Sequence, residues 1–315
     1  MDKISLEPAV RTLCSDERRR FIPTTIGIRA LRKRLQMQQE GPVYQHPASF
    51  TTKKVVVPGR TEPLNIHFVY PRQPATAQLP VLFYIHGGQF ITGDLQVYNK
   101  FIRELAVRAQ VMVVFPEYSL APEAQAPDQI KQLQHALAAL PQFGEEFNLD
   151  LERVIIGADD VGAKFAAQLI ADPGIKEVAI YKMAWLCPVT NYNFDTASYY
   201  EFAGGYDLTR EQMKFAWRQY LGKLTEQPPL REMPLRYSSE LLATFPETLI
   251  ITAEADVVRD EGEAMARKMR DAGVSVAQIR MQGTIHNFVI YNELDITSSC
   301  RLAMNVLVDW IKKRG

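Results

Sequence analysis

The sequence predicts an α/β protein, built on an eight-stranded, mostly parallel sheet flanked by helices and carrying a helical cap. Three observations carry this. The first strand-sized apolar runs are joined by short connections, and the later ones alternate with helical stretches. Residues 190–240 then break the alternation, with no strand candidate and many aromatic and loop-forming residues.

In chain order, residues 5–40 have helical character. Ile28, Leu31 and Leu35 fall on one face of a basic segment, and Pro23 separates it from an earlier helix around Val10 to Arg20. Strand signals follow at KKVVV (53–57), LNIHFVY (64–70), LPVLFYI (79–85) and VMVVF (111–115), then at RVIIG (153–157), MAWLC (183–187), TLIIT (248–252) and VSVAQIRM (274–281). Helices are expected at 97–109, 127–140, 162–171, 258–272 and 299–313. The expected organisation is an N-terminal helical part of the cap over 1–45, a core over 46–189 and 241–315, and a cap insertion over 190–240.

Lys plus Arg equals Asp plus Glu at 36 each, so no global field favours nucleic acid or an anionic membrane. The runs Arg18-Arg19-Arg20 and Arg32-Lys33-Arg34 read as solvated helix faces. Cys14, Cys187 and Cys300 are far apart and odd in number, which fits buried thiols in a reducing compartment. The opening MDKISLEPAV lacks an apolar core for a signal peptide, and the longest apolar runs are strand-sized. The expectation is a cytoplasmic protein with no membrane span, no cofactor and no metal, acting on a small molecule. A homodimer is left open.

Ligands of open α/β sheets bind beyond the carboxyl ends of the strands. Four loops there carry chemistry. His86-Gly87-Gly88-Gln89 follows the third strand, and its glycines let amide groups point at one spot, as a developing oxyanion needs. A tight turn with Asp159 and Asp160 follows RVIIG, Asp256 follows TLIIT, and His286 follows VSVAQIRM. His67 and His135 lie inside a strand and a helix, and His46 in a connection, so His286 is the candidate base with Asp256 orienting it. Their order after the turn is that of an α/β-hydrolase.

These motifs resemble the hormone-sensitive-lipase family of α/β-hydrolase carboxylesterases over roughly residues 40–315. The family's H-G-G-G stands as HGGQ (86–89), its G-D as Gly93-Asp94, and its D-Y-R-L-A-P-E as EYSLAPE (117–123). Its acid segment stands as DVVRDEG (256–262), its histidine as IHNF (285–288), and FAGGYDLTREQM (202–213) reads like its cap. Its elbow, G-D-S-A-G-G, aligns with residues 158–163, which sets Asp160 on the nucleophilic serine. Taking Gly157 as the first glycine would instead put Val161 where helix and strand approach closely, a contact that suits Gly162. The resemblance implies Asp160, Asp256 and His286 as catalytic groups and Gly87, Gly88 and Val161 as the oxyanion hole. Gln89, Asp159, Tyr199, Phe202 and Tyr206 are the expected substrate contacts. GADDVGAK (157–164) is not a phosphate loop, since its lysine does not follow the glycine directly.

An aspartate at the elbow changes the chemistry. In an acyl intermediate it leaves far more easily than an alkoxide: the pKa gap of about 12 units is worth roughly 16 kcal/mol. Acyl transfer through Asp160 is therefore expected to be poor. A carboxylate can instead displace at a saturated carbon, or serve elimination or cyclisation as an acid or base. Two further outcomes stay open: a catalytically silent binding or regulatory site, and weak esterase activity through directly activated water.

Overall fold

The computed structural model describes residues 4–16, 27–74, 78–172, 178–226 and 228–313. The expected Pro23 break and Arg18-Arg19-Arg20 lie outside these residues. Eight strands form one sheet: β1 (Ala48–Val55), β2 (Leu64–Pro71), β3 (Leu79–Ile85), β4 (Met112–Pro116), β5 (Leu149–Asp159), β6 (Ile180–Leu186), β7 (Glu247–Ala255) and β8 (Val276–Ile285). Their order is β1-β2-β4-β3-β5-β6-β7-β8. The β1–β2 and β2–β4 pairs are antiparallel, and every later pair is parallel. Burial explains the composition. Val81 to Ile85 and Val154 to Ile156 are at most 1% exposed, so both faces must be apolar and alternation disappears.

Helices α3 (Leu95–Ala109) and α11 (Ser298–Lys312) touch one another and cover β2, β4, β7 and β8. Helices α4 (Asp128–Ala138) and α6 (Val161–Ala171) form a second pair against β2, β3 and β5, while α10 (Arg259–Asp271) lies on β7 and β8. The short α5 (Gly144–Phe147) leads into β5. Among the described residues of 190–240 there is no strand. The segment holds α7 (Ala197–Glu201), α8 (Arg210–Leu221) and three 3₁₀ turns, and α9 (Ser239–Leu242) returns the chain to β7.

At the N-terminus, α1 (Pro8–Ser15) lies against β8. Glu7, just before it, accepts hydrogen bonds from the Ser298 and Ser299 amides, the unsatisfied first donors of α11. Helix α2 (Ile28–Gln38) is fastened by polar side chains. Arg32 donates to the Ile91 and Ala121 carbonyls and pairs with Glu123, and Gln36 donates to Asp94. Gln39, just past its end, donates to the Val97 and Ile290 carbonyls. No described helix is long and apolar enough to cross a membrane.

Candidate active site

β5 runs on to Asp159, and α6 begins at Val161, leaving one residue to make the turn. That residue is Asp160, at φ 48° and ψ −123°, a strained region for a residue with a side chain. Gly162 shows why the turn is so sharp: a Cβ there would stand 2.1 Å from the Ile85 carbonyl at the end of β3. The start of α6 is thus pressed against the sheet, and Asp160 is lifted at its edge. Its own backbone is bound on both sides, by the Leu186 carbonyl at 2.9 Å and the Val189 amide at 3.0 Å.

The side chain of Asp160 lies in the amide cradle. Oδ2 accepts from the Gly88 amide at 2.9 Å, the Gln89 amide at 2.6 Å and Gln89 Nε2 at 3.0 Å. The oxyanion donors expected from the sequence need one correction. The Gly87 amide turns away and donates to Asp159 Oδ1 and the Tyr98 hydroxyl, both at 3.0 Å. The Gln89 amide stands in its place beside Gly88. Val161, as first residue of α6, has an amide with no intrahelical acceptor.

Asp159 also needs correcting. It is 1% exposed and braces the core behind the turn instead of facing a substrate. Tyr84 donates to its Oδ1 at 2.8 Å and Tyr98 to its Oδ2 at 2.7 Å. Burial, assisted by the charge of Asp160, pushes its carboxyl up to about 7 against the pull of those hydrogen bonds.

His286 stands across from the turn, 1% exposed. Its Nδ1 bonds Asp256 Oδ2 at 2.8 Å, and Asp256 Oδ1 accepts from the Val258 amide at 3.0 Å. Its Nε2 lies 3.6 Å from Asp160 Oδ1, an ion-pair distance beyond a hydrogen bond. Both of those atoms are buried and without a hydrogen-bond partner. Burial opposes charge on the imidazole, but Asp256 and then Asp160 outweigh it and hold its pKa well above the usual range. His286 thus stands between two acids, which favour its protonated form.

Sequence reasoning expects Cys187 to be buried but does not place it beside the imidazole, and it does not single out Glu261. The Cys187 thiol, Asp256 and His286 bring their donor atoms within 4.8 Å of one another. Burial and the charge of Asp256 keep that thiol protonated, and Nδ1 is already bonded, so the group supports the imidazole and is poorly suited to hold a metal. Glu261 accepts from the Thr190 amide at 2.7 Å, and burial pushes its carboxyl well above the ordinary range.

Residues 82–290 match the profile of a family described as the alpha/beta hydrolase fold. The chain belongs to that family. It is 33% identical over 75% of its length to a putative alpha/beta hydrolase, R526, of Acanthamoeba polyphaga mimivirus, covering 68% of that protein. It is 30% identical over 84% of its length to esterase LipI of Mycobacterium tuberculosis, covering 82% of it. Among solved structures, a thermostable esterase from Pseudomonas putida superposes with a TM-score of 0.92 at 29% identity, over 99% of this chain and 98% of that one.

In this α/β-hydrolase the pocket that reaches His286 measures about 550 Å³, counted out to its open mouth. Gln89 and His286 form part of its wall. Leu31, Arg34, Leu35 and Gln38 supply another part, and Ile91, Asp207, Leu208, Gln212 and Tyr291 the rest. The four α2 residues recur at the spacing of one helix face. The solvated face expected for Arg32-Lys33-Arg34 needs correcting: Arg32 is fastened to backbone carbonyls, and Arg34, with Gln38, puts polar groups on the pocket face that Leu31 and Leu35 make apolar. The aromatic residues expected there are elsewhere. Tyr199 and Phe202 are buried at 0% and 1% exposure, Tyr199 against Phe194 and Phe202 against Tyr206, and none of Tyr199, Phe202 and Tyr206 lines this pocket. They pack the cap's own small core.

Proposed function

We propose that this α/β-hydrolase opens a small, partly apolar epoxide by nucleophilic displacement at a saturated carbon. The observation that carries this is the split of the Asp160 carboxylate: Oδ2 lies in the amide cradle while Oδ1 faces His286. A carboxylate that attacks through Oδ1 becomes an alkyl ester whose carbonyl oxygen, Oδ2, already sits among the donors that would stabilise its hydrolysis.

The protonation of His286 fits the same cycle. As an imidazolium it can protonate the alkoxide released when the ring opens. It is then neutral, and the alkylated Asp160 no longer holds a charge against it, so it can take a proton from water attacking the ester carbon. On collapse the imidazolium protonates the departing alkoxide, which releases a vicinal diol, and the water proton left on the Asp160 carboxyl passes to the imidazole. One epoxide and one water give one diol, with enzyme unchanged. Ordinary esterase chemistry fits less well, because Oδ2 takes the seat that an ester's carbonyl oxygen would need. Asp160 is 0% exposed, which is what favours the silent binding reading. Cys187 and Cys300, buried and outside any disulfide, support the cytoplasmic reading.

The test is a single turnover of small aliphatic epoxides in heavy-oxygen water, followed by peptide mass spectrometry. Label is expected in the Asp160 carboxylate, since water attacks that carbon. Label in the diol alone would refute the nucleophile role. Absence of turnover and of any Asp160 adduct, alongside tight binding of a small molecule, would favour the silent site.

A further inference from the structure

We propose that Gln89 is the specificity-determining residue of this site. Its side-chain amide screens Asp160 from the pocket and is also the third donor on Oδ2. Gln89 and His286 line the pocket, whereas Asp160 is fully buried and does not. Gln89 is the residue that both lines the pocket and bonds Asp160, through Nε2 at 3.0 Å to Oδ2. A ligand coming down the pocket therefore meets the glutamine amide before the elbow acid. To reach Oδ1 it must turn that side chain, and it does so more readily if it offers an acceptor oxygen to Nε2 in exchange for Oδ2. An epoxide or ether oxygen meets this need, and a purely hydrocarbon or haloalkane ligand does not.

The backbone at this position does not call for glutamine. Gln89 sits at φ 49°, a conformation glycine adopts more easily, and the resembled family has glycine there. A side chain has been accepted in a strained place, and it ends on the very acid that replaced the serine. The amide ends on Oδ2, the oxygen that attack through Oδ1 would leave as the ester carbonyl.

Two comparisons test this, and only the first rests on the displacement chemistry above. Wild type and Gln89→Gly are treated with a small aliphatic epoxide, and the Asp160 adduct is followed by intact mass. The variant is expected to form the adduct faster and to hydrolyse it about a hundredfold more slowly, as loss of one oxyanion donor does. Equal rates in both proteins would overturn the proposal. The second comparison sets Asp160→Ser against Asp160→Ser/Gln89→Gly, with a short p-nitrophenyl ester. The double variant is expected to be several-fold better in kcat/KM, mainly through KM, because the screen is gone. Equal or lower kcat/KM would refute the screening role. If no epoxide ever labels Asp160, displacement falls, while the serine comparison still decides the role of Gln89. Position 89 tolerates glycine by its backbone angles, so both variants are expected to fold.

Discussion

Asp159 and Asp160 are adjacent letters with opposite tasks, and the pleat is what separates them. Asp159 is the last residue of β5 and points back into the core, where two tyrosine hydroxyls and the Gly87 amide converge on it. Replacing it by alanine leaves two buried hydroxyls without an acceptor, while the Gly87 amide keeps the Tyr98 oxygen. We expect Asp159→Ala to lose about 3 kcal/mol of stability, read from the denaturant midpoint. Loss of activity without loss of stability would instead put Asp159 in contact with substrate. The sequence placed Asp160 in the turn because Gly162 alone tolerates the contact with β3. It could not say which amides would turn inward. Gly87 and Gln89 differ in that respect only through Tyr98 and Asp159, partners 11 and 72 residues away.

At the scale of elements, α6 links the turn to the cap. Lys164 is completely buried and meets Glu232 Oε2 at 2.5 Å, with the Tyr220 hydroxyl 2.9 Å from the same ammonium. Burial pulls this lysine down to about 8 even beside Glu232. Breaking such a pair from one side leaves a buried charge alone. Lys164→Met and Glu232→Gln are each expected to cost about 3–5 kcal/mol, and the double variant much less than their sum. Additive losses in thermal or denaturant unfolding would show that the two groups are not coupled. The strands were readable from β-branched runs, although β5 and β8 extend further than their apolar stretches. Gly157 and Gly283 interrupt those runs without ending them, because neighbouring strands complete the ladder. The cap aromatics were misread as pocket lining, since composition gives a ring's presence and not its direction.

The whole molecule is held together across its N- and C-terminal halves by buried charges on α3 and α11. Glu104, fully buried, meets Lys100 at 2.7 Å, Arg108 at 2.6 Å and Arg301 at 2.8 Å. Burial raises its pKa, but Arg301, Lys100 and Arg108 together lower it from 4.5 to about 2. The folded value lies below the unfolded one, so this contribution is present above about pH 4.5 and lost as pH falls through about 2. It is worth roughly 2–3 kcal/mol. Asp159 has the opposite sign. Its folded value of about 7 exceeds the ordinary 3.8, so its contribution is whole below about 3.8 and lost as pH rises through about 7. Glu104→Gln should therefore flatten the acid limb of stability against pH, lowering stability at neutral pH while leaving its slope there unchanged. An acid limb as steep as in wild type would contradict this assignment. Lys100, Glu104 and Arg108 stand at i,i+4 on one helix and can be paired from the sequence, whereas Arg301 lies 197 positions from Glu104 and cannot.

The helix that walls the pocket has a separate consequence. Four of the side chains a ligand meets come from a single stretch of eleven residues, α2, held to the body by Arg32, Gln36 and the neighbouring Gln39. The reacting groups come from strand ends that α2 does not help to build. Exchanging that one segment between homologues should accordingly redirect which molecules are accepted while leaving the reaction itself as it was.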